Sequence, residues 1–473
     1  MPNKIDPTKA KQIVQALLKT GQPDRDTRVA QFQRFESFIL DGEQWDNMDL
    51  PALGDPQVTV NESEDYINTY LTKLFPRNPE SGVLEVGARV RGKNREKWET
   101  EILDTYKREN LSAVLLEQGQ DFFVGGDACI YYPQDPTTKK ARIFSIDPTT
   151  VYMNWSGSDL LEFAFVDTVS DQDLSSSSPS FLSKAIRLVL GFTQSSPTDR
   201  ITYWSNKYQI IIIGDTVEVR ENLQGFIPMS WIPNKPKSHT HEGRSEAKGL
   251  YDLEQYNNGV LSGIAKRVQD NTLAPLALST SRDTKDLQRD IKERSILPLE
   301  LGGKAEFLNL PESPELLKFT EYISSKMDKK MAINEAVNGA VKSNVSSLAM
   351  MYYFSPLLDR IALKRVYWDQ FFRDLNRAII KYAGGTDIDC DTDPMYQPTM
   401  MLDQTQKIQN ITTMLDYRLI TYREAIDILR PFENSEAKMK EVEDEFARLS
   451  AISGYLPQKQ SLNNQTKTQT TPL

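Results

Sequence analysis

The pattern of hydrophobic and polar positions is most regular between Gly249 and Gly385. In residues 250–271, apolar side chains recur every three to five positions, which predicts an amphipathic helix. Pro275 follows shortly after Asn271 and predicts the end of this helix. The apolar stripe consists of Leu250, Leu253, Tyr256, Leu261, Ile264 and Val268.

A short segment with β character comes next. It contains two apolar runs, at residues 296–301 and 307–310, and the pair Gly302-Gly303 separates them. Two glycines between apolar runs favour a turn between short strands. We therefore expect a small β element between two helices.

A second helix is predicted from Ser313 to about Ala336. Ser313 suits the N-cap, Pro314 suits the first position, and Glu315 favours the positive end of the helix dipole. One side of this helix is apolar and the opposite side is charged. The apolar side holds Leu316, Phe319, Ile323, Met327 and Met331, and the charged side holds Lys318, Glu321, Lys326, Asp328, Lys329 and Lys330.

A third helix follows a short polar loop. Residues 338–347 are small and polar and show no helical stripe. From about Ser347 to the pair Gly384-Gly385, large side chains keep a register of three or four. Pro356 removes a backbone donor near the start, so we expect a kink there. The register comprises Leu358, Ile361, Arg365, Trp368, Phe372, Leu375, Ile379 and Tyr382.

The segment before Gly249 mixes helices and strands. An aromatic-rich helix is expected over 8–40, and Asn61 followed by Glu64 resembles the capping box of a second helix. The turn QDPTTKK predicts a hairpin between a strand entered within 122–132 and the strand ARIFSIDP. A further helix is expected over 93–118, with further strands over 84–90, 160–168, 200–205, 208–213 and 215–220.

Two segments stand apart in composition. Residues 171–199 are rich in serine at both edges, which predicts a surface insertion with a short helix over 180–190. After Gly385 an acidic loop precedes helices near 402–416, 421–430 and 435–450. The remaining polar tail is poor in apolar residues, which favours disorder. Altogether the elements predict an α+β fold.

Composition limits the class of protein. A chain of 473 residues accommodates about two to four domains. It contains no run of about 18 uncharged apolar residues, and its first residues lack the apolar core of a secretory signal, so we expect no membrane span. Cys129 and Cys390 are far apart, which fits inert thiols in a reducing compartment. The net charge of −10 argues against ordinary nucleic-acid binding, although DNA can pass an acidic surface without being held.

Candidate catalytic and metal-binding motifs are weak. The sequence Gly302-Gly303-Lys304 looks like the end of a phosphate loop, but Pro298 and Ala305 occupy positions where such a loop needs Gly and Ser or Thr. His239 and His241 lie in one short polar stretch that cannot close a metal site alone. No GxSxG motif is present, so we expect no enzyme, cofactor or metal site.

The acidic loop keeps one alternative open. Asp387, Asp389, Asp391 and Asp393 alternate and could hold a hard cation, but Thr392 and Pro398 stand where an EF-hand loop needs Gly and Glu. Carboxylate pairs remain open too, because any of the 66 acidic residues could meet in a cleft.

Lysines on the second helix have two interpretations. Lys326, Lys329 and Lys330 are spaced to share one helix face, which is usually a solvated face. In a chain that assembles around a channel, the same lysines would face DNA phosphates. The loop 338–347 is either a plain connector or a segment that projects into the channel, with Asn338, Val341, Lys342 and Asn344 exposed to DNA.

The order of these parts resembles the portal proteins of tailed bacteriophages. The resemblance rests on the aromatic helix ending in DGEQW, on VTVNESEDYINTYLTKLFP, on GGDACIYYP followed by ARIFSIDPTTVY, and on ENLQGFIPMSWIPN. It covers roughly residues 25–450, and the order of the segments is its most specific part. A helix, a small module, a helix, a loop and a kinked helix correspond to the stem, clip, stem, tunnel loop and wing helix of that family.

The resemblance implies a portal-like α+β fold with long stem helices, a kinked wing helix, a mixed α/β wing, a small β-containing clip and a helical crown. The implied parts are a wing (1–248), a first stem helix (249–272), a clip (273–312), a second stem helix (313–336), a tunnel loop (337–347), the kinked wing helix with the acidic loop (348–399), a crown (400–456) and a disordered tail (457–473). The insertion at 171–199 departs from the compact wing of the family.

The resemblance also implies function and partners. Such a chain forms a homo-oligomeric ring, usually of twelve copies, at one vertex of the capsid in the virion, and it is assembled in the host cytoplasm. Double-stranded DNA passes through the ring without sequence recognition, and the capsid protein and scaffold surround it. The terminase large subunit, and later a head-completion or tail adaptor, would dock on clip residues Arg282, Lys285, Arg289, Lys292, Glu293 and Arg294.

Two other classes of function stay open at this point. One is another connector or minor capsid protein of the same particle, which would form no closed ring of high symmetry. The other is a metal-dependent nuclease or hydrolase that uses the carboxylates of residues 387–393. For the portal interpretation, we expect Lys326, Lys329, Lys330 or Lys342 to supply at least one ring of weak contacts to DNA.

Overall fold

The structure is a computed structural model, and it divides the chain into two compact units, Met1–Thr399 and Met400–Leu473. It describes residues 6–40, 44–45, 56–76, 86–91, 94–169, 198–238, 240–272, 276–279, 304–307, 314–333, 347–396, 404–429 and 439–445. The mixture of helices and strands is compatible with the predicted α+β class. Within the described residues, no helix is both long enough and apolar enough to cross a bilayer.

The described part of the first unit contains seven α-helices. They are α1 (Pro7–Ile39), α2 (Glu62–Leu74), α3 (Arg95–Arg108), α4 (Leu111–Val124), α5 (Tyr251–Thr272), α6 (Pro314–Met331) and α7 (Ser347–Tyr382). The Asn61 side chain accepts the Glu64 backbone N–H at 3.4 Å and caps α2. The Glu64 carboxylate accepts a bond from the Asn61 side-chain amide and not from the Asn61 backbone N–H, so only half of the predicted capping box forms.

The described strands form four sheets. They are β1 (Val86–Val90), β2 (Asp127–Tyr131), β3 (Phe144–Ile146), β4 (Val151–Ser156), β5 (Asp159–Val169), β6 (Thr198–Ser205), β7 (Tyr208–Ile213), β8 (Thr216–Glu221), β9 (Met229–Pro233), β10 (Leu276–Ser279), β11 (Lys304–Phe307) and β12 (Thr392–Tyr396). The largest sheet is an antiparallel meander in the order β4-β5-β6-β7-β8. The predicted hairpin is the pair β2–β3, with Cys129 opposite Ile146.

The main core surrounds the middle of α7. Trp368 is fully buried, and its ring meets the rings of Phe75 and Phe122 edge-on at 4.7 and 5.6 Å. A second core lies where the first half of α1 covers the five-stranded sheet, with Val14 packed near Ile210. Helix α7 thus keeps the register that its sequence predicts and continues through Pro356.

The hydrophobic pattern predicted a single helix over 93–118, but the structure has two helices in this region. The helical region is broken after α3, because Asn110 adopts a left-handed φ of 49°. The second part, α4, continues to Val124, through residues that were expected to begin a strand. Gly126, with a φ of 104°, then makes the turn into β2.

The second long helix ends earlier than predicted. Helix α6 stops at Met331, before the expected end near Ala336, because Ala332 takes a left-handed φ of 52°. The next residue, Ile333, is buried, and its N–H bonds to the Asp328 carbonyl at 2.9 Å. Burial of Ile333 therefore terminates the helix.

Four of the described strands were missed, namely β4, β9, β10 and β12. Strand β12 forms at the end of the predicted acidic loop because it pairs with β1, a strand about 300 residues earlier, with Asp393 opposite Arg89. The Asp393 carboxylate is also bonded to Arg91 and lies 3.3 Å from Arg373. Charge pairing with distant residues thus stabilises a strand that local composition did not predict.

Several predicted segments lie wholly or largely outside the described residues. These include most of the serine-rich insertion at 171–199 with its expected helix at 180–190, the loop 338–347 except Ser347, and the tail after 456. The described parts of 273–312 are β10 and β11, which pair antiparallel between the two helices. They lie at 276–279 and 304–307 and share only Phe307 with the predicted apolar runs, whose other residues fall outside the described part of the chain.

The second unit contains two described helices that pack together, α8 (Gln404–Asp416) and α9 (Tyr422–Leu429). Thr421 caps α9, since its hydroxyl accepts the Glu424 backbone N–H while the Glu424 carboxylate accepts the Thr421 N–H. Residues 439–445 are also helical. These elements match the helices expected in the C-terminal part of the chain.

Candidate functional site: a helix pair with an exposed lysine face

Helices α5 and α6 pack side by side in opposite directions. The ammonium of Lys330, near the end of α6, donates to the carbonyl of Gly249, just before the start of α5. At the other ends, β10 and β11 connect the pair. With 22 and 18 residues, the rods are about 33 and 27 Å long.

The end of α6 is anchored to α2 by three polar contacts. The Tyr66 hydroxyl donates to Asp328 at 2.9 Å, and the Ser324 hydroxyl donates to Glu62 at 2.8 Å. The Tyr70 hydroxyl donates to the Met331 carbonyl at 2.5 Å. Burial, together with the bond to Asp328, raises the pKa of Tyr66, so its hydroxyl stays a proton donor at physiological pH.

The lysines of α6 lie opposite its buried face. Ile323, Met327 and Met331 are buried, whereas Lys326 and Lys329 are exposed. At about 100° per residue, these two lysines are roughly 60° apart around the helix. The Lys326 ammonium lies 5.0 Å from the Tyr322 ring centroid. Among the described residues, no carboxylate lies within ion-pair distance of either lysine, so both charges are available to a partner.

Lys330 differs from its two neighbours. It lies at the edge of the exposed face, where its ammonium is bonded to Gly249 and its carbonyl accepts a bond from Arg360. It is therefore tied to the rest of the first unit. The structure brings Lys326 and Lys329 together on one open surface and directs Lys330 away from it.

The other predicted site residues all lie outside the part of the chain that the structure describes. Asn338, Val341, Lys342 and Asn344 lie in the part of the chain between α6 and α7 that the structure does not describe. The six clip residues, Arg282, Lys285, Arg289, Lys292, Glu293 and Arg294, lie between β10 and β11 and also fall outside the described residues.

A polar ladder on α5 was missed by the sequence patterns. Its members Glu254, Asn258 and Ser262 are spaced four apart and are buried. They accept the backbone N–H groups of Ser63, Val60 and Val58 at 3.2, 3.0 and 2.9 Å. Residues 58–63 thus run along α5 without a strand partner, and helix side chains supply the missing acceptors.

This ladder changes the expected exposure of α5. Tyr256 and Val268, which belong to the predicted apolar stripe, are 68% and 60% exposed. The stripe was expected to face the core, and at these two positions that expectation is wrong because the polar ladder occupies the buried side. A repeat of polar residues at i, i+4 and i+8 was the sequence signal that could have revealed it.

Glu254 is the charged member of the ladder. Its pKa is raised from 4.5 to about 7, chiefly because burial disfavours the charged form, and bonds from Ser63 offset only part of this effect. The carboxyl therefore changes its protonation near neutral pH while it holds residues 58–63 against α5.

The acidic segment 387–393 does not form a converging cluster. Asp387 pairs with Lys381 at 2.9 Å, Asp389 accepts bonds from Thr386, and Asp393 pairs with Arg91 and Arg373. These contacts lower the pKa of Asp387 and Asp389. Across the described residues, which include this entire segment, no group of three His, Cys, Asp or Glu side chains could hold a metal ion.

The remaining candidate residues, namely the histidines, Lys304 and the cysteines, do not come together in one site among the described residues. His241 stacks on the Trp155 ring with centroids 4.1 Å apart, whereas His239 lies outside the described residues. Lys304 begins β11, and Gly302-Gly303 lie outside the described residues. Burial raises the pKa of Cys129 and, to a smaller extent, that of Cys390, which is expected of unreactive thiols.

Comparison with known proteins bears on the segment that contains this helix pair. No curated protein sequence matches the chain. Residues 254–450 match the family model described as phage portal protein, SPP1 Gp6-like, which is a family of structural proteins. The match spans most of α5, the strands β10 and β11, and helices α6 to α9. It supports a phage portal protein and confirms the family resemblance that the order of the sequence segments indicated.

Proposed function

We propose that the chain is the subunit of a ring at one capsid vertex, and that DNA passes through this ring during packaging and ejection. The family supports a homo-oligomeric ring in the virion. The observation that carries the proposal is the antiparallel pair α5–α6, with one face anchored to α2 and Lys326 and Lys329 exposed on the other. A repeated rod pair of this kind suits the wall of a channel.

In this proposal the parts keep the roles expected from the sequence. Residues 273–312 dock first the terminase large subunit and then a head-completion or tail adaptor. Residues 337–347 contact DNA, and the ring contains twelve copies. The acidic net charge limits tight binding of DNA, while a few lysines per copy provide weak, screened contacts.

The alternative of a nuclease or hydrolase finds no support in the acidic segment. Asp387, Asp389 and Asp393 each have a separate partner. A two-metal or carboxylate-pair mechanism needs acids that converge on one point. The alternative of another connector or minor capsid protein differs from the proposal in symmetry alone.

Negative-stain microscopy of the purified chain tests the proposal. We expect closed rings with a central hole and twelve-fold symmetry in rotational averages. Particles that remain monomeric at assembly concentrations, or open filaments without a hole, would contradict the ring. A closed ring of another subunit number would correct only the count.

A further inference from the structure

A cleft of about 460 Å³ lies beside the end of α6, in the first unit. Positive charge predominates among the polar side chains that line it. Four cationic side chains, Lys235, Lys330, Arg360 and Lys364, surround one carboxylate, Glu246. The surplus is about three positive charges in a chain whose net charge is −10.

Glu246 cannot balance this charge. It is buried, and its two oxygens pair with Lys364 and with Lys235. Burial raises the pKa of Glu246, but the charges of the two lysines outweigh this and lower it, so it is ionised. Both of its oxygens are therefore occupied. Among the described residues, no carboxylate lies within ion-pair distance of Lys330 or Arg360.

Lys364 forms the floor of the cleft, where burial lowers its pKa and the neighbouring Glu246 carboxylate offsets part of this effect. The residue is buried, and its ammonium donates to Asn234 at 2.6 Å as well as to Glu246. The rings of Phe122 and Phe123 lie 5.7 and 5.3 Å from the ammonium. Apolar walls reduce screening by water, so a charge here acts more strongly on an anion than a surface lysine does.

The other cations are oriented by the backbone. Lys235 has a left-handed φ of 48°, an unfavourable conformation for a residue with a side chain. The Lys330 ammonium is held by the Gly249 carbonyl, and Arg360 is held by the Lys330 carbonyl. Each bond uses only part of the donors of its cation, so further N–H groups remain for a ligand.

We propose that this cleft binds a phosphate group. A phosphate monoester carries a charge of about −1.5 to −2 and several acceptor oxygens, which fits a surplus of about three charges better than a single carboxylate does. The apolar side chains Leu363 and Tyr367 at the cleft can cover the rest of the ligand. The inference does not rest on ring formation.

Calorimetric titration with inorganic pyrophosphate tests the site. We expect saturable binding of one pyrophosphate per chain. Changing Lys330→Gln should weaken it by about tenfold or more, because a charge-assisted hydrogen bond is lost. Glutamine can still donate to Gly249, so the local fold should survive. The matched control is Lys19→Gln, which removes the same charge from an exposed position of α1 outside the cleft.

A second variant tests whether the loss of binding in Lys330→Gln comes from the lost charge or from a change in local structure. Arg360→Gln should also weaken binding, and its unfolding transition should be checked because it loses the bond to Lys330. If Arg360→Gln does not fold, the comparison of Lys330→Gln with Lys19→Gln decides between the two outcomes. Absence of saturable binding, or equal loss in both lysine variants, would overturn the proposal.

The source of the phosphate is distinguished by competition. A short DNA duplex with 5′-hydroxyl ends offers only phosphodiesters. If it displaces pyrophosphate from the wild-type chain, and does so less well from Lys330→Gln, the cleft takes the DNA backbone. If pyrophosphate binds and the duplex does not compete, the ligand is a free phosphate compound.

Discussion

The carboxylate of Glu254 accepts hydrogen bonds from both the backbone N–H and the hydroxyl of Ser63. It joins the long helix α5 to the first turn of α2, and it is fully buried. Because its pKa is raised from 4.5 to about 7, this contact depends on pH.

The first prediction concerns Glu254→Gln. Between about pH 4.5 and 7 the folded state holds this proton more tightly than the unfolded state does, so the contribution of Glu254 to stability is lost as pH rises through 7. Relative to wild type, the variant should be nearly neutral at pH 5 and more stable at pH 8 by roughly 1–3 kcal/mol. Urea unfolding at both pH values measures this. An exposed carboxylate on α6, changed as Glu321→Gln, is the control.

The second prediction concerns the uncharged ladder. Asn258→Ala leaves the Val60 N–H without its acceptor and should lower the free energy of unfolding by about 1–3 kcal/mol. Hydrogen exchange should speed up first in residues 58–63. Asp270→Ala on the same helix, an exposed site of similar size, should leave both quantities near wild type. Faster exchange across the whole first unit instead would mean that the ladder is not a local contact.

The third prediction separates a buried ion pair from a surface pair on the same helix. Lys364→Met removes one partner of the buried Glu246 and should cost about 3–5 kcal/mol. Adding Glu246→Gln should restore part of this loss. Lys381→Met breaks the surface pair with the exposed Asp387 and should cost much less, because solvent screens that pair. Equal losses in the two single variants, measured by chemical unfolding, would contradict the importance of burial.

The fourth prediction concerns the channel. The double change Lys326→Gln with Lys329→Gln removes two exposed charges of α6 and should reduce the DNA packaged per head, with rings still formed. The effect should shrink at higher salt because such contacts are screened. Lys9→Gln with Lys19→Gln removes the same net charge from exposed positions of α1 and serves as the control. Unchanged DNA content with intact rings would rule out this lysine face.

Much of the fold could be predicted because local patterns decide it. The helical register of α7 places Trp368 and Phe372 in the core as expected. The strands β6 to β8 and the hairpin β2–β3 follow from alternating apolar positions and turn residues. Spacing alone also predicted that Lys326 and Lys329 share one face of the helix, since the helical pitch fixes which residues are neighbours on its surface.

The elements that were missed depend on distant partners. Strand β12 exists because β1 pairs with it, and α6 ends where Ile333 enters the core. The break between α3 and α4 rests on one left-handed residue, Asn110. A local pattern does not contain these contacts, so the sequence predicted a loop, a longer helix and an unbroken helix instead.

The sequence by itself determined much of the order of helices and strands, the acidic charge and the resemblance to phage portal proteins, because each follows from composition, from local patterns or from the order of segments along the chain. Only the tertiary structure decided which face of α5 is buried, since the acceptors for residues 58–63 come from a helix about 200 residues away. The same holds for the cleft, where Lys235, Lys330 and Lys364 meet around Glu246. Charges that are far apart in sequence combine only when packing brings them into one poorly screened space.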